Sequence, residues 1–473
     1  MIQLPVDTSV AGQELSETDA EKLIGAICFK TGPPGTIGAE LEWLVTDVAD
    51  VSATVPIARI QDVLSDLERP AALPGEGLLT LEPGGQVELS TAPATGLDNC
   101  VTAASADMTV LHETFSSAGL ILTGHGLDPA RPPRRVLELP RYAAMEEYFD
   151  RRGPWGRLMM CNTASVQVCV DAGLAEDGTS GYPFRWRLLH ALGPVLVAAF
   201  ANSPLRLGRP TGWKCTRQLI WSRLDPCRTH APPGAEPREQ HAPSPRRAGQ
   251  APLAGEADPR DDWVRYALDA EVLCLRRPDG KPWTVPAGLT FRGWLHATGQ
   301  PRPTVDDLSY HLSTLFPPVR AHGHLELRMI DAQPGDGWIV PVAVVAALID
   351  DPVAADAAMA ATEPVWGVPV PRPRRASRSG SPARREDAFQ AGRRAASSMS
   401  RSGLSDGPWL RAARLGPADP AIARAIRECF EAAAAALARA GTSPRIRKMV
   451  GDFTERYVDR GRCPADDMLE ELS

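Results

Sequence analysis

No run of apolar residues in this chain reaches the ~18 needed to cross a bilayer as a helix. The opening, MIQLPVDTSVAGQELSETDAEKLIG, lacks the charged-then-apolar order of a secretory signal. Both absences predict a cytoplasmic protein with no membrane partner. Paired C-x-x-C motifs are missing as well. The nine cysteines, an odd number, are scattered without a His/Cys cluster, which argues against a disulfide scaffold or a structural zinc site. There is no basic surplus either: the formal net charge is −7 and the pI about 5.8, the opposite of a general nucleic-acid binder. The loop G-x-x-x-x-G-K-[ST], the kinase motif set and a G-x-G-x-x-G after a strand are all absent. What is present is 473 residues, 43% of them hydrophobic, enough to bury a large core.

Along the chain, residues 1–34 read as a lead-in with a short amphipathic helix near Ser16–Phe29, which Ser16 or Thr18 can cap. Strand-like and helix-like segments alternate through 35–365, broken by a Pro-, Ala- and Gly-rich loop over 228–262 that reads as mobile. Residues 366–407 carry nine arginines and almost no large apolar residue, the composition of a disordered insertion. The remainder, 408–473, reads as helices. Ile422, Ile426, Phe430, Ala433 and Leu437 recur at helical spacing within Pro420–Ala440, and a last helix is expected near Ile446–Val458.

The chemistry lies in four alternating segments. Glu40 and Glu42 share one face of a strand, because side chains alternate with period two. In Leu81-Glu82-Pro83-Gly84-Gly85-Gln86-Val87-Glu88-Leu89-Ser90, residues Gln86, Glu88 and Ser90 share a face beyond a tight Pro-Gly-Gly turn. Thr163, Ser165, Gln167 and Asp171 line up opposite Val166, Val168 and Val170, and Glu326 lines up with Arg328. One explanation is an antiparallel sheet with a wet side. A generic wet face mixes signs freely; these faces are mostly Glu, Gln and Ser, with no lysine. Closed around a cavity, such carboxylates need cations, since each unpaired buried charge costs several kcal/mol. Hard oxygen donors without His or Cys favour Mg²⁺ or Mn²⁺ over zinc. With no phosphate loop, nucleotide phosphates would rest on metal ions and arginines.

The pieces G-A-E-L-E-W (38–43), L-E-P-G-G-Q-V-E-L-S (81–90), M-M-C-N-T-A-S-V-Q-V-C-V-D (159–171), R-Q-L-I-W (217–221), D-P-C-R-T (225–229), Y-A-L-D (266–269), L-T-F-R-G-W-L (289–295) and H-L-S-T-L-F-P-P-V-R (311–320) with L-E-L-R (325–328) resemble, in order, the plant-type glutamate–cysteine ligase family. Within it, the chain is most similar to the actinobacterial enzymes that supply γ-glutamylcysteine for ergothioneine synthesis. The resemblance covers roughly 35–350 and makes 35–365 the catalytic domain, with 408–473 packing on it. It implies an α+β, glutamine-synthetase-like fold: a curved, mostly antiparallel sheet forming a funnel, with helices outside. It also implies the reaction. ATP, as co-substrate, phosphorylates the γ-carboxylate of L-glutamate, and the α-amine of L-cysteine attacks the acyl phosphate.

On the same resemblance, Glu40, Glu42, Glu82, Glu88 and Glu326 would share the Mg²⁺ ions. Glu88 and Arg328 would serve the phosphoryl transfer, Arg328 on a phosphate oxygen or the γ-carboxylate. Arg217 and Trp221 would take glutamate or cysteine. Gln86, Thr163, Ser165 and Gln167 would hydrogen-bond along the wall, with Arg228 and Tyr266 as further contacts. Plainer roles stand beside these: capping for Asn202-Ser203-Pro204, a surface ion pair for Arg292, core packing for Trp221 and Trp263, and loop packing for His322 and His324. No residue here is a convincing base for the amine. The same fold acting on another amine, or a relative that binds without catalysis, remains an alternative, and the oligomeric state is not readable.

Overall fold

The computed structural model describes residues 12–65, 67, 69, 72–237, 258–277, 281–299, 301–367 and 407–472. The arginine-rich stretch and the middle of the expected loop lie outside these residues. Ten strands occur among those described: β1 Thr36–Asp47, β2 Leu78–Leu81, β3 Val87–Ser90, β4 Ala94–Thr95, β5 Leu120–Thr123, β6 Ser165–Val170, β7 Leu205–Arg206, β8 Arg209–Pro210, β9 Val319–Ala321 and β10 Leu325–Asp331. β7 and β8 form a separate hairpin. The other eight make one sheet in the order β2-β3-β1-β6-β10-β9, with β4 and β5 also paired to β1. Every pair in that sheet is antiparallel, and with the helices this gives the expected α+β class.

The period-two pattern decides which side of the sheet is dry. In β1, Ile37, Ala39, Leu41 and Trp43 are all buried and join one core with the helices Tyr182–Ala199, Ile339–Asp350, Pro352–Gly367 and Pro420–Arg439. Ile339–Asp350 is apolar almost all round because it is enclosed, with the sheet strand β6 on one side and Pro420–Arg439 on another. Burying each such Val, Leu or Ile contributes about 1.5–3 kcal/mol, so this layer holds the sheet and leaves its other face to polar residues.

Helix boundaries follow their caps. The first helix is Glu17–Cys28, and Ser16, not Thr18, accepts the Asp19 N–H at 3.2 Å. Asp419 caps Pro420–Arg439, and the five apolar residues expected at helical spacing there are buried. The last expected helix starts earlier, at Pro444, and ends at Phe453 in a wider turn over Thr454–Val458. A further short helix, Pro464–Glu470, follows; its seven residues are too few to show a period.

The expected 228–262 loop is narrower on both sides. Asp225 caps the turn Pro226–Thr229, and Asp258 caps the helix Pro259–Asp269. Ala235 is buried, and Trp409 Nε1 donates to Glu236 at 2.7 Å. Among the described residues no single helix is long and apolar enough to cross a membrane.

Candidate active site

The polar face of the sheet carries the site, and register places its residues in rows. Glu42 of β1 stands opposite Glu88 of β3, which stands opposite Thr80 of β2. One row on, Glu40 lies between Ser90 and Gln167. In the next row Gly38 faces Cys169, Cys169 faces Glu326, and Glu326 faces Arg320 on the edge strand β9. Between Leu327 and Ile330 the register shifts, so two residues of β10 oppose one of β6. That bulge sits at Arg328, as bulges beside functional sites do.

Glu82 reaches the same space from the turn that joins β2 to β3. Its N–H donates to Gln86 O, and its carbonyl accepts Gly85 N–H. The turn packs so tightly that a Cβ on Gly84 would lie 2.2 Å from the carbonyl oxygen of Cys161, which leaves glycine as the fitting residue.

A cavity of about 110 Å³ opens over these rows. Its walls include Glu40, Glu42, Glu82, Gln86, Glu88, Thr163, Gln167, Arg217, Trp221, Glu326 and Arg328, which are eleven of the fourteen residues named from sequence. The structure also brings in Arg141, Tyr142, Met145, Met159, Met160, Phe316, Arg320, His322 and His324. A roomier hollow of about 550 Å³ lies elsewhere, but its charges are already used. There Asp350 pairs with Arg185, Asp351 with Arg439, and Asp98 accepts Ser443 N–H.

Two charge patterns face each other across the smaller cavity. On one side burial, then the charge of Glu88, pushes Glu42 up to about 7. Burial, Glu88 and Glu42 push Glu82 up to about 8. Burial, Glu326 and Glu88 raise Glu40 well above the usual carboxylate range, against the pull of Arg320 and Arg328. On the other side burial would raise Glu326 too, but Arg320 and Arg328 outweigh it and hold that carboxyl well below the usual range. Arg320 grips both oxygens of Glu326, Nη2 at 2.8 and 2.9 Å and Nε at 3.1 Å, and Arg328 donates to Oε1.

Gln167 joins the two sides. Its Nε2 donates to Glu42 at 2.8 Å, and its Oε1 accepts from Arg328. Arg217 lies over the Trp221 ring, 4.5 Å from its centroid, and Nη2 donates to the carbonyl of Arg328 at 2.7 Å. Burial lowers the Arg217 pKa, opposed by the charges of Asp331 and Glu42.

The residues named from sequence differ in what they touch. Glu326, expected to share the metal, is gripped by two guanidiniums. Gln86 spends its amide on the carbonyls of Met160 and Thr163 and on Gly84 N–H, and Thr163 Oγ1 donates to Met159 O. Both therefore hold the wall's backbone. Ser165 is buried and does not line the cavity, though its hydroxyl acts on the Glu42 carboxyl and opposes the rise in that group's pKa. Arg228 and Tyr266 also lie outside it. Arg228 is fully buried and ties together Asp225, Thr314 and the Tyr148 ring, while Tyr266 stacks on Trp263 in the core. A basic or phenolic residue inside a family-like segment gave no sign that packing, not ligand, had selected it.

Of the plainer roles, the ion pair holds: Arg292 pairs with Glu17 and Asp269. Capping does not: the helix ends at Phe200, and Asn202 and Ser203 bond instead to Asp331, Asn202 also donating to the carbonyls of Gly124 and Ala332. Trp263 is core, whereas Trp221 lines the cavity, as do His322 and His324. Arg320 was missed, though a hairpin closing at Gly323 pairs it with Glu326 and could have revealed it. Arg141, in the first turn of the helix Pro140–Asp150, carried no comparable signal.

Among the described residues no three His, Cys, Asp or Glu side chains stand ready to hold a metal ion. In kind, however, the donors fit one. Glu40, Glu42, Glu82 and Glu88 offer only carboxylate oxygens, and three of them are proton-hungry for want of positive charge. A hard divalent cation supplies that charge once the side chains turn toward it.

The profile of glutamate–cysteine ligase family 2 (GCS2) matches residues 36–400. The glutamate–cysteine ligase EgtA of Mycobacterium tuberculosis is 35% identical over 462 residues, which span 96% of this chain and 90% of that one. EgtA of Mycolicibacterium smegmatis is 40% identical over 355 residues, 74% of this chain and 77% of that one. The chloroplastic glutamate–cysteine ligase of Nicotiana tabacum is 30% identical over 267 residues, 55% of this chain and 46% of that one. An acidic cavity on an antiparallel sheet, in a chain matched over most of its length by that profile and those relatives, belongs to glutamate–cysteine ligase family 2.

Proposed function

We propose that the chain is an ATP- and magnesium-dependent glutamate–cysteine ligase, forming γ-glutamylcysteine that feeds ergothioneine synthesis in the cytoplasm. The observation that carries this reading is the gathering of Glu40, Glu42, Glu82 and Glu88 with the guanidiniums of Arg217 and Arg328 around one cavity.

A carboxylate is a poor electrophile with no leaving group, so the γ-carboxylate must first be activated. An oxygen of that carboxylate attacks the γ-phosphorus of ATP, the bond to the bridging oxygen breaks, and ADP leaves. The cysteine nitrogen then attacks the acyl carbon; the carbon–oxygen bond breaks, and phosphate departs with the electron pair and accepts the amine proton. Magnesium held by Glu40, Glu42, Glu82 and Glu88 would neutralise charge on the ATP phosphates. Arg328, fixed by Glu326 and Gln167, presents a guanidinium where an anionic oxygen gathers charge. Arg217 offers its charge to a carboxylate of an amino-acid substrate, and Trp221 holds that guanidinium in plane. Met145, Met159, Met160 and Phe316 keep the adjoining wall apolar and help exclude water.

The test is phosphate release from ATP with Mg²⁺ and glutamate, with and without cysteine, in the wild type and in Glu88→Gln. Release that depends on cysteine, and that falls about 10²–10³-fold in the variant, supports the reading. Release with glutamate and a different amine overturns the substrate and leaves the chemistry. No release with any amine, from folded protein, overturns the ligase assignment.

A further inference from the structure

Arg217 is tied to strand β10 at both of its ends, and one buried carboxylate organises the tie. Asp331, the last residue of β10, is 1% exposed. Period two alone would put Asp331, five residues after Glu326, on the opposite face; the bulge instead sets it against Ser165, on the face of Gln167, where its side chain meets Cys215 at the start of the helix Thr216–Trp221. Oδ2 accepts the Ser203 hydroxyl at 2.7 Å and the Asn202 N–H at 2.9 Å, and Oδ1 accepts the Cys215 thiol at 3.2 Å. Cys215 is the residue that caps that helix, its sulfur accepting Gln218 N–H. Ser203 Oγ in turn accepts the backbone N–H of Arg217 at 3.2 Å.

The side chain of Arg217 meanwhile returns to Arg328 O. After burial, the charges of Asp331 and Arg217 are each the largest influence on the other. The Nε of Arg217 is buried without a hydrogen-bond partner, in a side chain that lines the cavity. The space around Asp331 admits no slack: a Cβ on Gly126 would lie 2.3 Å from its Cγ.

We propose that Asp331 is a positioning residue that sets the Arg217 guanidinium, through Ser203, Cys215 and charge, so that it binds a carboxylate of an amino-acid substrate. This rests on the ligase reading above. It predicts that losing the Asp331 charge weakens an amino acid's binding without weakening ATP's.

The test compares wild type, Asp331→Asn, which keeps the volume, and Ser203→Ala, which removes only the hydroxyl between Asp331 and Arg217. Steady-state KM is measured for glutamate, cysteine and ATP, with kcat. The contribution of Trp221 to near-ultraviolet circular dichroism is isolated by repeating each protein with Trp221→Phe, and it reports the stacked guanidinium without requiring turnover. The expected result for Asp331→Asn is a rise of about tenfold in KM for one amino acid. Ser203→Ala should show a smaller rise in the same KM. KM for ATP and kcat should stay within about twofold, and the Trp221 contribution should shift in both variants.

Equal rises in all three KM values, a lower kcat with unchanged KM, or an unmoved Trp221 contribution would overturn the proposal. If the wild type releases no phosphate with any amine, the ligase reading fails and the Trp221 contribution alone decides the coupling. If Asp331→Asn does not fold, Ser203→Ala decides it.

Discussion

Both sides of the cavity carry glutamates, yet they resolve the charge in opposite ways. On the β10 side, Glu326 is satisfied within the protein by Arg320 and Arg328 and stays ionised. On the β1–β3 side, Glu40, Glu42 and Glu82 crowd around Glu88 with too little positive charge nearby, and protons stand in for it. A carboxylate paired internally holds an arginine in place. Carboxylates left short of cations are a place for a cation to arrive. The same residue type, on neighbouring strands of one sheet, thus serves as scaffold on one side and as the proposed ion-binding group on the other.

The largest effect should come from breaking the self-sufficient side. Replacing Arg320 by Met leaves Glu326 buried with Arg328 alone, and removing one partner of a buried pair costs about 3–5 kcal/mol. Because Arg328 keeps part of the compensation, a loss of about 3 kcal/mol is expected in urea unfolding. A loss below about 0.5 kcal/mol, the range of ordinary surface changes, would erase the distinction between the sides.

The second prediction concerns pH on the other side. Glu42 and Glu82 have folded pKa values of about 7 and about 8, raised above 4.5. Groups raised in this way contribute stability that is complete below the unfolded pKa and is lost as pH rises through the folded one. Without magnesium, the unfolding free energy should therefore fall as pH rises from about 4.5 toward 8, and added Mg²⁺ should flatten the fall most at the alkaline end. A magnesium-free profile that rises over this window would contradict the electrostatic account.

The smallest effect sharpens the contrast. Glu82→Gln keeps size and removes a charge that the metal-free protein resists, so it should stabilise that form near pH 8 by about 1 kcal/mol. It should also weaken the magnesium response. Thermal unfolding with and without Mg²⁺ reads both, and destabilisation of the metal-free form would show that Glu82 is not short of positive charge.

Much of this was legible because it depends on local alternation. Glu40 and Glu42 two residues apart, and Gln86 and Glu88 beyond a Pro-Gly-Gly turn, place themselves on one face of a sheet wherever that sheet pairs. Period 3.6 placed Ile422 to Leu437 on the buried side of their helix in the same way. What stayed hidden depends on how the strands pair. Glu326 differs from Glu42 through Arg320, which the hairpin at Gly323 sets across from it, and through Arg328 at the bulge. Nor does Arg228 differ by type from Arg217. One is consumed by Asp225, Thr314 and Tyr148 in the core, while the other lines the cavity with its Nε unbonded.

By itself, then, the sequence determined the kind of protein: a sheet with one acidic face, no phosphate loop, and motifs whose order matches one ligase family. These are properties of spacing and composition, which survive any arrangement of the elements. Only the tertiary structure decided which carboxylates are spent inside the fold and which are left wanting charge. That depends on which guanidinium lies within hydrogen-bond reach of which oxygen, in a medium where burial penalises every charge left unpaired.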